Sequence, residues 1–211
     1  MEKVKSEMNI TSNTFDSGYE SLDSFESLFE KFTKKSLVNN DGKIIILAER
    51  LTTPIGPMFL CATEKGICLL EFDDRKDIKK QFSQLEKLLN GIVFRGENEH
   101  IILAKQQLEE YFLGQRKDFE LPFFMPGTDF QKQVWKCLTQ IPYGETSSYQ
   151  QQSIMLGNPK AIRAMASANG RNRLAIIVPC HRVIGKDGNL TGYAGGLTRK
   201  QWLLEHEKRH K

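Results

Sequence analysis

The feature that most constrains this chain is the short apolar run Leu174–Val178, which ends at Pro179. A run this short, rich in β-branched residues and closed by a proline that has no N–H to donate, is typical of a buried strand. Cys180 follows directly. The pattern therefore predicts that Cys180 lies where a buried strand opens into a turn.

Two interpretations of Cys180 are open on residue type alone. A cysteine is most often a small buried hydrophobe. A thiol becomes a strong nucleophile only as the thiolate, which requires a nearby base or positive charge, and His181 and Arg182 come next in the chain. The rest of the sequence has to decide between structural packing and nucleophilic chemistry.

The composition excludes several classes of protein. The 211 residues suffice for one or two domains, and no apolar run approaches the roughly 18 residues of a membrane span. The first residues are polar and lack a secretory apolar core, so a cytoplasmic or nuclear location is expected. The four cysteines form no Cys-x-x-Cys pair, and the four histidines form no ligand set with them, so we expect no metal site, no cofactor and no disulfide framework.

The basic charge is concentrated in the part of the chain that contains Cys180. Residues 121–211 hold 13 Lys and Arg against 5 Asp and Glu, whereas residues 1–120 hold 17 against 21. Solvated basic faces are common, but this segregation favours a polyanionic partner for the C-terminal part.

Three regions follow from the periodicity, and the sequence is interpreted as α+β. Residues 1–42 form an N-terminal tail, 43–120 a small scaffold domain and 121–211 the basic domain. In the scaffold domain, turn residues separate short runs that predict an antiparallel meander, and apolar spacing then predicts two helices. The runs are Lys43–Leu51, Met58–Thr63 and Ile67–Phe72, and the helices lie near 78–89 and 101–112.

Within the tail, apolar residues at helical spacing predict an amphipathic helix. These residues are Leu22, Phe25, Leu28, Phe29 and Phe32. Residues 17–36 also resemble the closing helix-turn-helix of AraC-type transcription activators. A remnant of such a motif and a plain amphipathic helix are both consistent with the pattern.

The basic domain contains the signals of a helix-turn-helix. Thr128 and Gln131 fit a capping box, which opens a helix that Pro142 stops. Ser147 or Ser148 can cap a short helix from Tyr149 to Leu156, and Asn158 with Pro159 predicts the start of another helix that runs to about Asn169.

The second helix of this pair has many small side chains around Arg163. They are Ala161, Ala164, Ala166, Ser167 and Ala168. Small residues permit close packing against another helix, and they equally permit the backbone and Arg163 to enter a groove of DNA.

The last helix places a glutamate on its inward face. Thr198 and Gln201 predict a second capping box, and Glu207 lies on the apolar stripe with Leu203, whereas Glu205 points away. A buried carboxylate without a partner is costly, so we expect Glu207 to contact a cation or a histidine.

Five motifs together resemble the O6-alkylguanine-DNA alkyltransferase family. They are Ile141–Thr146, Ser148–Gln151, Gly157–Ala164, Ile177–Gly185 with its Pro-Cys-His-Arg-Val core, and Gly192–Gly196. The resemblance covers about 43–211, and with the AraC-like stretch the layout is similar to the C-terminal part of an Ada-type adaptive-response protein. It implies an N-terminal antiparallel-sheet, RNase H-like domain and a C-terminal helical, winged-helix-like DNA-binding domain.

The resemblance implies transfer of an alkyl group from O6-alkylguanine in double-stranded DNA to Cys180, once per molecule, without a cofactor and by a monomer. His181 would be the base through a bridging water, and Glu207 would orient it. Tyr149 would donate a hydrogen bond to the leaving guanine, and Asn172 would brace the active-site turn.

The resemblance also implies residues that bind DNA and the base. Arg163 would fill the gap left by the extruded nucleotide. Other DNA contacts would come from Ser148, Tyr149, Lys160 and Ala164, and the pocket for the base would be formed by Tyr149, Val183, Tyr193, Ala194 and Gly195. The chain departs from the usual family pattern at Leu174-Ala175, at Asn169 and at Gln152-Ser153.

Two alternatives remain at this level. One is a DNA-binding alkylation sensor or transcription regulator, which the AraC-like stretch favours. The other is a thiol enzyme such as a cysteine hydrolase, which would have no need of the basic, alanine-rich helix.

Overall fold

A computed structural model describes residues 42–211. The amphipathic or AraC-like segment predicted within 17–36 lies outside the described residues. The described chain is a mixed α and β structure with a sheet in its first half and short helices in its second half, so the predicted α+β class is confirmed.

The N-terminal sheet has four strands in the order β3-β2-β1-β4. Strands β1 (Ile44–Leu51), β2 (Met58–Thr63) and β3 (Gly66–Phe72) form the predicted antiparallel meander. Strand β4 (Gly91–Arg95) pairs parallel to β1 and was not predicted, because its five residues show no alternation.

Two helices cover the sheet where the apolar spacing predicted them. Helix α1 (Ile78–Leu89) packs Phe82 and Leu85 against one sheet face. Helix α2 (Glu99–Phe112) contributes Tyr111 to the core of the other face, which it shares with the C-terminal half. This shared core joins the sheet to the segment that contains Cys180.

The C-terminal half consists of short helices around a two-stranded ribbon. In chain order it contains α3 (Asp129–Leu138), β5 (Ser147–Ser148), α4 (Tyr149–Met155), α5 (Ile162–Asn169), a 3₁₀ turn (Cys180–Arg182), β6 (Val183–Ile184) and α6 (Leu197–Arg209). The predicted capping box at Thr128 is present. Of the two serines predicted as possible caps of α4, Ser148 is the cap, and it forms a capping box with Gln151 that was not predicted. Helices α4 and α5 form the predicted helix-turn-helix, and Trp135 on α3 donates its indole N–H to the Ala168 carbonyl, 2.8 Å away.

The strand predicted over Leu174–Val178 is wrong. Only Leu174 bridges to Leu70 on β3, and the chain then turns, with the Val178 N–H bonded to the Leu174 carbonyl at 2.8 Å. Ile176 adopts a φ of 70°, which is rare for a β-branched residue and favours a turn over a strand. The run is buried because both halves of the molecule enclose it. A buried turn and a buried strand can have the same apolar sequence, so the pattern did not distinguish them.

Two predicted helix starts are also wrong. The Asn158 carbonyl accepts from the Ala161 N–H at 3.0 Å in a tight turn, so α5 begins after Ala161 rather than at Pro159. At the last helix, Gly196 has a φ of 88° and serves as the N-cap, so Thr198 lies inside the first turn and caps nothing.

None of the helices in residues 42–211 has the length and apolarity needed to cross a membrane.

Candidate active site

Cys180 begins the 3₁₀ turn and is 9% exposed. The Asn172 side chain holds this turn: its amide donates to the Val178 carbonyl at 2.8 Å and to Cys180 Sγ at 3.2 Å. The Asn172 carbonyl oxygen accepts from the Leu174 N–H at 3.0 Å. One buried amide therefore supplies the hydrogen bonds that a strand neighbour would otherwise make, and it also touches the sulfur.

The same turn is fixed to the N-terminal sheet. The Leu70 N–H donates to the Arg173 carbonyl at 2.7 Å, and the Ala175 N–H donates to the Leu70 carbonyl at 2.9 Å. The outer edge of β3 thus positions the segment that precedes Cys180. The strained Ile176 is retained because hydrogen bonds on both sides over-determine the turn.

The thiol of Cys180 is protonated at neutral pH in this environment. Burial raises its pKa to about 11, and the hydrogen bond from Asn172 opposes that rise without cancelling it. A reaction at sulfur therefore requires a base that removes the proton during the reaction.

His181 and Glu207 provide such a base and its partner. His181 is fully buried, and its Nε2 lies 2.8 Å from Glu207 Oε1. A carboxylate only accepts hydrogen bonds, so Nε2 carries the hydrogen and Nδ1 is the acceptor nitrogen. Among the described residues, Nδ1 has no hydrogen-bond partner. Burial lowers the pKa of His181, although Glu207 raises it, so the ring is neutral and able to accept a proton.

Glu207 is buried and held by several donors, which confirms the prediction that it points inward to a cation and a histidine. Arg182 donates to both of its oxygens, at 2.8 and 3.0 Å, and the Tyr111 hydroxyl and the Gly144 N–H donate at 2.9 and 3.0 Å. Burial opposes ionisation, but His181 and Arg182 together hold the pKa of Glu207 well below its usual range. The carboxylate is therefore ionised.

Tyr111 and Gly144 were missed as site residues. Tyr111 falls within the helix predicted near 101–112 and Gly144 within the motif Ile141–Thr146, but neither was predicted to contact Glu207. Their bonds to Glu207 span 96 and 63 residues of sequence, so no local pattern could reveal them.

A cleft of about 600 Å³ opens to the surface near this relay. Cys180, His181 and Glu207 do not line it, but the Tyr193 ring, which does, lies 6.4 Å from the His181 ring. Its walls include Tyr149 at the start of α4 and the predicted pocket residues Tyr193, Ala194 and Gly195. Burial raises the pKa of Tyr149, and a hydrogen bond involving Thr191 opposes that rise, so the phenol is a neutral hydroxyl at physiological pH. The Tyr193 hydroxyl is buried and has no hydrogen-bond partner among the described residues.

Val183 is buried and does not line the cleft. Its carbonyl accepts from Lys200 Nζ at 2.5 Å, and the same ammonium group contacts the carbonyls of Thr191 and Gly192 at 2.6 and 3.4 Å. A carbonyl has two lone pairs, so Val183 can still accept a second hydrogen bond. Lys200 was missed, although it lies seven residues before Glu207 on the same inward face of α6.

The residues predicted to contact DNA lie on the exposed side of the helix-turn-helix. Lys160, Arg163 and Ala164 are exposed, and α5 buries the opposite side through Met165 and Ala168. Of the small side chains around Arg163, Ala164, Ala166 and Ser167 therefore lie on the solvent side of α5, where they are available to a large ligand, whereas Ala168 packs inward. Ser148 is half-buried and its hydroxyl caps α4.

The structure also brings N-terminal residues to the cleft, which the sequence did not indicate. Asp74, Arg75, Lys76 and Asp77, which follow β3, form part of its wall. The cleft is thus built from both halves of the molecule. No group of three or more His, Cys, Asp or Glu side chains within residues 42–211 is arranged to hold a metal ion.

Comparisons with known proteins agree with this geometry. A family model described as the ribonuclease-like domain of 6-O-methylguanine DNA methyltransferase matches residues 46–124, and a model of the DNA binding domain of the same family matches residues 129–209.

Similar proteins with this description come from archaea and bacteria. The methylated-DNA--protein-cysteine methyltransferase of Methanosarcina barkeri is 46% identical over 159 residues, covering 75% of this chain and 94% of the relative. The constitutive protein of that name from Bacillus subtilis is 45% identical over 159 residues, covering 74% and 92%. The crystal structure of Mycobacterium tuberculosis OGT in complex with DNA has a TM-score of 0.68 at 38% identity, covering 79% of this chain and 94% of that one.

Proposed function

Because the chain belongs to the 6-O-methylguanine DNA methyltransferase family, we propose that it repairs DNA by moving the alkyl group of O6-alkylguanine onto the sulfur of Cys180. The observation that carries the proposal is the buried array of Cys180, His181 and Glu207, which Tyr193 links to a cleft that opens next to the helix-turn-helix. A binding protein has no need of a neutral histidine held by an ionised carboxylate next to a thiol.

The chemistry requires proton removal first. The Cys180 proton passes to Nδ1 of His181 through a water molecule, and Glu207 stabilises the imidazolium that forms. The thiolate then attacks the alkyl carbon, so that an S–C bond forms while the C–O bond to guanine breaks. Tyr149 donates a hydrogen bond to the guanine ring as negative charge develops there.

Access to the substrate explains why the thiol lies next to a helix-turn-helix. The O6 atom of guanine is inside the duplex, so the nucleotide must rotate out of the stack at a cost of a few kcal/mol. Arg163 on the exposed face of α5 is suited to fill the resulting gap. Ser148, Lys160 and Ala164 would contact the backbone beside it, and Tyr193, Ala194, Gly195 and the Val183 carbonyl would hold the extruded base.

The reaction occurs once per molecule. The product is a thioether, whose sulfur is bonded to two carbons and is a poor leaving group at neutral pH. Regeneration would require a second nucleophile that attacks the transferred carbon and releases the Cys180 thiolate. In the described part of the chain, the side chain that donates a hydrogen bond to Sγ is the Asn172 amide, which is not a nucleophile.

The test is a titration with excess duplex that contains O6-methylguanine, followed by the intact mass of the protein. We expect a plateau at one methyl group per chain. Continued transfer beyond one equivalent would contradict the single turnover. Tight binding of the methylated duplex without any transfer would instead support the alternative of a DNA-binding alkylation sensor.

A further inference from the structure

The N-terminal half lines part of the cleft, and its residue Asp74 also forms an ion pair with Arg199 of α6. Arg199 Nη1 donates to Asp74 Oδ1 at 2.8 Å, and Nη2 donates to Asp74 Oδ2 at 2.7 Å. This two-bond geometry is the strongest form of an arginine–carboxylate contact. The Asp74 side chain is 34% exposed and that of Arg199 only 8%, so the pair lies at the boundary between the cleft and the interior.

The remaining donors of Arg199 fix its position further. Nε donates to the Ile55 carbonyl at 2.7 Å, and the guanidinium carbon lies 4.3 Å from the centre of the Phe72 ring. Both contacts are in the N-terminal half. The Arg199 side chain therefore anchors the C-terminal helix α6 to the N-terminal half of the molecule.

Arg199 also contacts the segment that would hold the base. Its Nη1 donates to the Gly195 carbonyl at 3.2 Å, one residue after Ala194. Gly195 packs so closely that a Cβ atom there would lie 2.4 Å from the Phe72 ring. Three of the six residues in the segment 191–196 are glycine (Gly192, Gly195 and Gly196), so its backbone has little conformational preference of its own.

The segment is held at both ends by neighbouring residues of α6. Lys200 donates hydrogen bonds to the carbonyls of Thr191 and Gly192 at the start of the segment. Arg199 donates a hydrogen bond to the Gly195 carbonyl at its end. The first attachment lies within the C-terminal half. The second depends on Asp74, because both oxygens of Asp74 accept hydrogen bonds from the Arg199 guanidinium.

We propose that the Asp74–Arg199 ion pair is a positioning device through which the N-terminal half sets the Tyr193–Gly195 wall of the base cleft. The proposal rests on the alkyl transfer proposed above and extends it to a residue pair that does not touch the reacting atoms. The pair controls how fast a bound base reacts. DNA affinity is set elsewhere, by residues such as Lys160 and Arg163 on the exposed side of the helix-turn-helix. A wall displaced by about 1 Å can slow a positioned reaction up to about 100-fold.

The variant for the test is Asp74→Asn, which removes the charge and one of the two strong acceptors at a partly exposed position. Asp77→Asn is the matched control, because it makes the same change of charge on the same cleft wall. Asp77 bonds Arg75 and Gln81 and makes no contact with Arg199 among the described hydrogen bonds and ion pairs. Asp74→Glu is the conservative variant that restores the acceptor.

The measurement is the single-turnover transfer rate at increasing concentrations of methylated duplex, which separates the limiting rate from the apparent affinity. We expect Asp74→Asn to lower the limiting rate on the order of tenfold, while its affinity for unmodified duplex matches that of Asp77→Asn. Asp74→Glu should recover most of the rate. An unchanged limiting rate in Asp74→Asn, or an equal fall in Asp77→Asn, would overturn the proposal.

Hydrogen exchange of the peptide covering 191–196 gives a readout that does not depend on transfer. We expect faster exchange in Asp74→Asn than in the wild type or in Asp77→Asn. Equal exchange in all three proteins would overturn the positioning role. Absence of transfer by the wild-type protein would overturn the proposed function, so the two failures are distinguishable.

Discussion

Five hydrogen bonds from the described residues converge on the carboxylate of Glu207, which makes it the residue on which the site depends most. Removing its charge would leave Arg182 buried without an anion and would weaken the hold on His181. Glu207→Gln should therefore lower the free energy of unfolding by about 3–5 kcal/mol. It should also slow alkyl transfer by about 10²–10⁴-fold, the usual contribution of general acid–base catalysis.

The pH dependence of stability gives a sharper test of Glu207. Its pKa in the folded protein is lowered from the usual 4.5, so below that value the unfolded state binds more protons than the folded state. The stabilisation is complete above pH 4.5 and is lost as the pH falls through the lower, folded value. Urea unfolding at decreasing pH should show a steeper loss of stability in the wild type than in Glu207→Gln.

Glu205→Gln is the matched control for both measurements, because Glu205 lies two residues away on the exposed side of α6 and bonds Gln201. It should change neither the transfer rate nor the acid dependence. Parallel acid profiles for the wild type and Glu207→Gln would contradict the assignment of an ionised, paired carboxylate at position 207.

At the scale of elements, helices α4 and α5 are joined by a buried pair of amides. The Gln152 amide donates to Asn169 Oδ1 at 3.1 Å, and the Asn169 amide donates to Gln152 Oε1 at 2.8 Å. Both residues are buried, and each amide satisfies the other, so a polar pair stands between the two helices where apolar packing would be usual.

A double-mutant cycle tests this coupling. Gln152→Leu or Asn169→Met alone leaves one buried amide without its partner and should cost about 1–3 kcal/mol of unfolding free energy. The double variant should recover most of that loss, with a coupling energy of about 0.5–3 kcal/mol. Additive losses, measured by urea unfolding, would mean that the two amides act independently.

Arg163 lies on the exposed side of helix α5. Arg163→Ala should slow transfer from methylated duplex on the order of tenfold or more, because only the duplex reaction leaves a gap in the stack to fill. Transfer from the free base O6-methylguanine should be nearly unchanged. The control is Lys208→Ala, which removes an exposed positive charge from α6. Equal slowing on duplex and free base would show that Arg163 supports the fold instead.

Across the whole molecule, the features predicted correctly from the sequence are those that interactions between residues close in the chain determine. The capping box at Thr128 and the helix cap at Ser148 were predicted because each depends on residues only three apart. The inward position of Glu207 followed from helical periodicity.

The errors and omissions have long-range causes. The Leu174–Val178 turn was mistaken for a strand because its burial comes from both halves of the molecule, while its geometry comes from Asn172 and the edge of β3. The Asp74–Arg199 pair joins residues 125 apart and could not be predicted from either position alone.

In the proposed reaction, the sulfur of Cys180 is the atom that receives the alkyl group. After reaction with methylated duplex, digestion and peptide mass spectrometry should find the methyl group on the peptide that contains Cys180. The same treatment of Cys180→Ser should give no methylated peptide, while its affinity for duplex DNA stays nearly unchanged. A methyl group found instead on the peptide of Cys137, or transfer that persists in Cys180→Ser, would contradict the account.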